Sequence, residues 1–156
     1  MAEVREPSDI PLEVATRGAR ETPQSAALGI RAVSAEVGVA VMAVPWRADL
    51  VGDPETGVIA GGVLTTLLDQ ACGMAVSSLA ASEGRQGGLA TLDLRIDYMR
   101  GARPGKEIFA RAHCYRLTAA IGFVRAAAFE DVEADPIATA QAAFALTSGP
   151  LPPGAG

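Results

Sequence analysis

The chain has 156 residues, 49% of them hydrophobic, 20% charged and 4% aromatic. One domain fits this length, and a disordered, collagen-like or disulfide-stapled chain is excluded. The net charge of −5 argues against a nucleic-acid partner, which needs Lys and Arg along its phosphates.

Residues 1–27 are polar, with Pro7, Pro11 and Pro23, and read as an N-terminal extension. A short helix is expected from about Pro11 to Ala19, since proline suits a first helical turn. Its opening, MAEVREPSDIP, has no apolar run, so no signal peptide is expected. No stretch reaches the roughly 18 apolar residues of a membrane span. Cys72 and Cys114 form no CxxC motif, and a cytoplasmic protein with reduced thiols is expected.

Residues 28–147 are read as the folded domain. Gly29 to Trp46 is Val-rich and broken by Gly38, which predicts a strand pair or one long bent strand. Residues 47–58 hold Gly52, Asp53, Pro54 and Gly57 and predict a loop. From Gly61 to Ser82 there is no proline. Leu64, Leu67, Leu68, Ala71, Ala75 and Leu79 recur at helical spacing, which predicts a single long helix. Leu89 to Met99 alternates: Leu92, Leu94, Ile96 and Tyr98 on one face, Thr91, Asp93, Arg95 and Asp97 on the other. Strands are expected again over 107–117, 120–130 and 137–146, joined by short turns. The tail 148–156 is rich in Pro and Gly and is expected to be disordered. The class is therefore α+β: an antiparallel sheet of five or six strands wrapped round one helix, which must cover its apolar face.

Charge is unevenly placed. Residues 85–125 carry seven arginines and Lys106 against three acids, while the flanking segments are acidic. Such an island is either a solvated strand face or a seat for a small anion, such as the phosphates of a nucleotide-bearing ligand.

Familiar catalytic patterns are missing. The single histidine, His113, falls in a strand, and no nucleophile elbow, HExxH motif or zinc-spaced Cys/His cluster occurs. No metal or separate cofactor is expected. What remains is Asp69, set mid-helix with the small residues Gly62, Thr65, Thr66, Gly73 and Val76 on its face, away from the Leu stripe. A partly desolvated carboxylate suits base or nucleophile work; the competing reading is a solvent-facing helix Asp. Gly61 and Gly62 open the helix, where N–H groups lack internal partners and can hold an oxyanion. The competing reading is simple helix entry. Eight residues separate Gly61 from Asp69, about 12 Å along the axis. That is too far for both to serve one carbonyl, so a shared site would take its Asp from a second subunit.

The stretches TPQSAALGI, IAGGVLTTLLDQACGMA, LATLDLRIDYMRGARPG and IATAQAAFAL resemble the hot-dog-fold thioesterases, and among them the PaaI-like acyl-CoA thioesterases. The likeness runs from about Thr22 to Thr147. It implies a hot-dog fold, a homodimer with active sites between subunits, and often a homotetramer. Acyl-CoA is the implied substrate, with coenzyme A present only as part of it. Gly61 would give its N–H to the thioester oxygen, and Asp69 of the partner would act as nucleophile or general base. Thr91 would orient the water. Ala60, Gly62 and Gln70 would line the thioester end, and Arg100 and Arg103 would meet the CoA phosphates. Two positions depart from the pattern. Ala60 stands where the family has a His, and Pro54 and Glu55 stand where it has an Asn or Gln. A lost oxyanion donor typically costs about 10²–10³ in rate. A non-catalytic module that binds acyl-CoA is therefore the rival reading. A hydratase-type hot-dog enzyme ranks behind both, because His113 lies far from the helix motif.

Overall fold

A computed structural model describes residues 22–85 and 87–147. Helix α1 spans Pro23–Leu28. Strands β1 (Arg31–Glu36) and β2 (Val39–Val44) follow, then a ribbon of β3 (Val51–Asp53) and β4 (Val58–Ile59). Helix α2 covers Gly61–Ser82. Four strands complete the chain: β5 (Gly88–Tyr98), β6 (Ile108–Leu117), β7 (Ile121–Phe129) and β8 (Ala138–Thr147). The main sheet has the order β1-β2-β6-β7-β8-β5, every pair antiparallel. It wraps round α2, which is the arrangement the strand and helix patterns predict.

Local chemistry explains most elements. Thr22 and Ser25 cap α1 reciprocally: the Ser25 N–H donates to Thr22 Oγ1 at 3.1 Å and the Thr22 N–H to Ser25 Oγ at 3.0 Å. This helix was not expected; the one predicted over Pro11–Ala19, like the tail 148–156, lies outside the described residues. Gly38, at φ 75°, makes the tight turn that splits Gly29–Trp46 into two strands. The predicted loop at 47–58 holds more order than expected. Asp53 accepts from the Glu55 N–H and the Thr56 hydroxyl, and the Trp46 indole N–H donates to the Gly57 carbonyl. These bonds close the β3–β4 ribbon.

The helix is buried more completely than one stripe allows. Val63, Cys72, Met74, Val76, Ser78 and Ala80 are buried along with the predicted Leu and Ala positions, while Leu79 is half-buried. By length and hydropathy α2 could cross a bilayer, against the expectation that no stretch would. It is instead mostly covered by the sheet, whose facing residues are small: Ala110, Ala112, Ala126, Ala128, Ala140 and Ala142. Small side chains let the strands close in on the helix, which is how a core with few aromatics reaches native density. Val76, expected on the face of Asp69, is fully buried against Gly122. A Cβ at Gly122 would lie 2.7 Å from Val76 Cγ1. Gly122→Ala is therefore expected to lower stability by about 2 kcal/mol. Adding Val76→Ala should return part of that loss, and thermal unfolding of the single and double variants measures both.

Strand β5 departs from simple alternation. Its register on β8 slips between Thr91 and Asp93, so that Leu92 is the extra residue of a bulge. Thr91 sits opposite Phe144 and Leu94 opposite Ala142, both buried on the helix side. Thr91 thus shares a face with Leu94, Ile96 and Tyr98, not with Asp93, Arg95 and Asp97 as alternation predicts. Leu92, predicted to be inward, is 57% exposed.

Candidate active site

The bulge matters because it aims Thr91 at the helix. The Thr91 hydroxyl donates to Asp69 Oδ1 at 2.9 Å. Asp69 is held mid-helix by the buried neighbours Leu67, Leu68 and Cys72 and is itself half-buried. One of its oxygens is engaged by Thr91. Among the described residues Oδ2 has no hydrogen-bond partner, so that edge is open to a water or a substrate carbon. Gln70, next along the helix, is half-buried, and its amide has no partner among the described residues.

About two turns away is the start of α2. Ala60 is its N-cap and makes no side-chain cap bond. The Ala60 N–H donates to the Leu50 carbonyl at 2.9 Å, and the Val63 N–H returns to the Ala60 carbonyl at 3.0 Å. The N–H groups of Gly61 and Gly62 have no partner among the described residues. With no acidic residue in the first turn, the positive end of the helix dipole is uncompensated locally. A Cβ at Gly62 would meet nothing within 4 Å, so the space beside this turn is open. The turn can therefore offer backbone donors to an anionic oxygen.

Tyr98 and Thr65 belong to this end and were not singled out in the sequence. The Tyr98 hydroxyl donates to the Gly61 carbonyl at 3.0 Å, and the Thr65 hydroxyl to the same carbonyl at 3.1 Å. The two hydroxyl oxygens are 2.8 Å apart. Thr66 likewise donates to the Gly62 carbonyl at 3.1 Å. The one available signal was a tyrosine closing an otherwise aliphatic strand face, since an inward Tyr hydroxyl needs a partner.

The basic island is largely spent inside the protein. Arg100 donates to Glu130 at 2.7 Å, to the Asp135 carboxylate at 3.2 Å and to the carbonyls of Asp135 and Gly101. The buried Glu130 also accepts the Arg103 N–H. Burial alone would push the Glu130 carboxyl up, but bonds from Arg100 and the Arg103 backbone, with both positive charges, hold it below the ordinary glutamate value. Arg100, expected to meet the CoA phosphates, thereby ties two loops together. Arg103 pairs with Asp131 at 2.9 Å yet stays 55% exposed, and Lys106 shares Asp131. Arg103 is thus the more available of the two for a phosphate.

The cysteines do not join the site. Burial, with the charges of Asp69 and Cys114, pushes the Cys72 thiol up to about 12, and burial also raises Cys114. Both are inert as nucleophiles at neutral pH. His113 is exposed on β6, opposite Arg125 of β7. Among the described residues no group of three His, Cys, Asp or Glu side chains converges as metal ligands.

Known proteins share this fold. The family described as the thioesterase superfamily matches residues 56–136. A crystal structure of a Pseudomonas aeruginosa protein superposes with a TM-score of 0.77 at 34% identity, over 87% of this chain and 98% of that one. A point variant of the phenylacetic acid degradation protein PaaI from Thermus thermophilus superposes with a TM-score of 0.69 at 26% identity, over 81% and 100%. A Halobacterium salinarum protein provisionally named an esterase is 32% identical over 96 residues, which span 61% of this chain and 62% of that relative.

Proposed function

This chain belongs to the thioesterase superfamily and has its hot-dog fold, and from that premise we propose that it hydrolyses an acyl-CoA thioester to the free acid and coenzyme A. The observation that carries the reading is the Asp69–Thr91 hydrogen bond on the same helix whose start is an open pair of glycines. The Gly61 N–H polarises the thioester carbonyl, where charge develops in the transition state. Asp69 of the partner subunit approaches from the other side. It attacks the carbonyl carbon to give a mixed anhydride that water then hydrolyses, or it takes a proton from the water that attacks; on either route the C–S bond breaks and the CoA thiolate leaves. Thr91, by occupying Oδ1, leaves Oδ2 facing the reaction. Arg103, 55% exposed, would meet the CoA phosphates. A CoA ester and two reduced, buried thiols fit work in the cytoplasm.

The reading needs a dimer, and β5 supports one. It is an 11-residue edge strand paired only with β8. Leu92, Tyr98 and Met99 on and beside it are 57%, 53% and 58% exposed. A long edge strand presents a row of unpaired backbone N–H and C=O groups that another strand can cover. Pairing β5 with its own copy would make one continuous sheet. Sedimentation at micromolar concentration is expected to show a dimer or a tetramer; a monomer there would remove the shared site.

Ala60, Pro54 and Glu55 favour the second reading, an acyl-CoA binding module without turnover. Thiol release from aryl-, short- and medium-chain acyl-CoAs separates the two, and the name of the Thermus relative makes an arylacetyl-CoA the first substrate on the panel. Turnover by the wild-type chain is expected. Saturable binding with no thiol released over hours would establish the module instead.

A further inference from the structure

We propose that Tyr98 is a positioning residue for the oxyanion-donor turn, holding the Gly61 carbonyl so that the Gly62 N–H, the donor next to the Gly61 N–H, stays aimed at the substrate; the proposal rests on the thioesterase reading above. Two consecutive glycines have the widest backbone freedom of any pair, and here no side chain caps the turn they open. The helix holds the Gly61 carbonyl from within through Thr65, and a contact from another element can fix it further. The peptide plane supplies the means, because the carbonyl of Gly61 and the N–H of Gly62 belong to one rigid unit. Fixing the first fixes the direction of the second.

Tyr98 does this from the neighbouring strand. Its ring lies 3.6 Å from where a Gly61 Cβ would stand, and its hydroxyl reaches the Gly61 carbonyl at 3.0 Å. Thr65 reaches the same carbonyl from within the helix. Three oxygens share two hydroxyl protons, so the carbonyl keeps at least one hydroxyl donor even while the two hydroxyls bond each other. Strand β5 therefore touches both reactive elements of its own chain, which in a dimer would serve two different sites: Thr91 engages the carboxylate and Tyr98 engages the donor turn. The bulge at Leu92 is what places Thr91 on the face of Tyr98.

Tyr98→Phe in the full chain keeps the ring and removes only the hydroxyl. On the best thioester its kcat is expected to fall about tenfold, the scale of one lost hydrogen bond, with KM changed less than about twofold. A merely structural role would not split kcat from KM in this way. The second readout needs no turnover. Amide hydrogen exchange at Thr65, whose helical acceptor is the Gly61 carbonyl, is expected to quicken several-fold in Tyr98→Phe, with exchange in the last turn of α2 unchanged. Wild-type kcat in the variant would overturn the proposal, and so would wild-type exchange at Thr65. If the wild-type chain hydrolyses no thioester, the thioesterase reading fails by itself and the exchange experiment alone decides whether Tyr98 holds the turn.

Discussion

Asp69→Asn is expected to lower thioester turnover about 10³-fold while leaving the fold unchanged. Asparagine has the same shape, and its carbonyl oxygen still accepts the Thr91 hydroxyl, so the hydrogen bond that fixes the side chain survives. What disappears is the negative charge that attacks the carbonyl or accepts the proton from water. The half-exposed setting of Asp69 means its neutralisation leaves no buried charge unpaired, so little change in melting temperature follows. Thiol release, run beside thermal unfolding, reads both quantities. A variant that is as stable as wild type and retains more than a tenth of its activity would remove Asp69 from the reaction. It would also break the link between the helix carboxylate and the family's chemistry.

The second large effect belongs to Glu130, which has no part in the reaction. Its side chain is 1% exposed and receives Arg100 and the Arg103 backbone N–H. Glu130→Ala leaves the Arg100 guanidinium without its closest partner and an N–H without an acceptor. Because Arg100 is partly exposed, the loss is that of charged hydrogen bonds to one buried carboxylate, about 2 kcal/mol. The pH dependence has a definite sign. The folded carboxyl titrates below the ordinary glutamate value of 4.5, so its contribution is complete above that value and disappears as pH falls through the lowered one. The stability gap between wild type and Glu130→Ala is therefore widest near neutral pH and narrows under acid. Denaturant titrations at pH 7 and at progressively lower pH measure the gap. A gap that stays constant would mean packing, not the ionised carboxylate, holds this corner.

The two ends of the candidate site differ in how far they could be read in advance. Asp69 and the Gly61–Gly62 pair stand out because a lone carboxylate and two glycines break the apolar period of one helix, and that period is a local property of the chain. Thr91 was named through resemblance, while alternation placed it on the wrong face. A bulge is set by how β5 meets β8, and nothing in the composition around Leu92 marks it. Arg100 shows the same limit from another side. As a sequence neighbour of Arg103 and Lys106 it belongs to a basic island, but Glu130 and Asp135 come from the β7–β8 loop and convert it into an internal tie.

The amino-acid sequence by itself determined the main elements and their order, though not α1 or the β3–β4 ribbon: a long helix from unbroken apolar spacing, strands from alternation, turns from Gly, Pro and Asp. It also determined which residues carry reactive groups. Each of these depends on interactions spanning a few residues, where steric preference and burial period decide the outcome. Only the tertiary structure decided which face Thr91 takes, which acids neutralise the arginines, that the helix is buried beyond its Leu stripe, and that Tyr98 reaches the first turn of α2. Those follow from strand register and the curl of the sheet. Both are fixed by contacts between residues far apart in the chain, and no local pattern records which distant partner will be met.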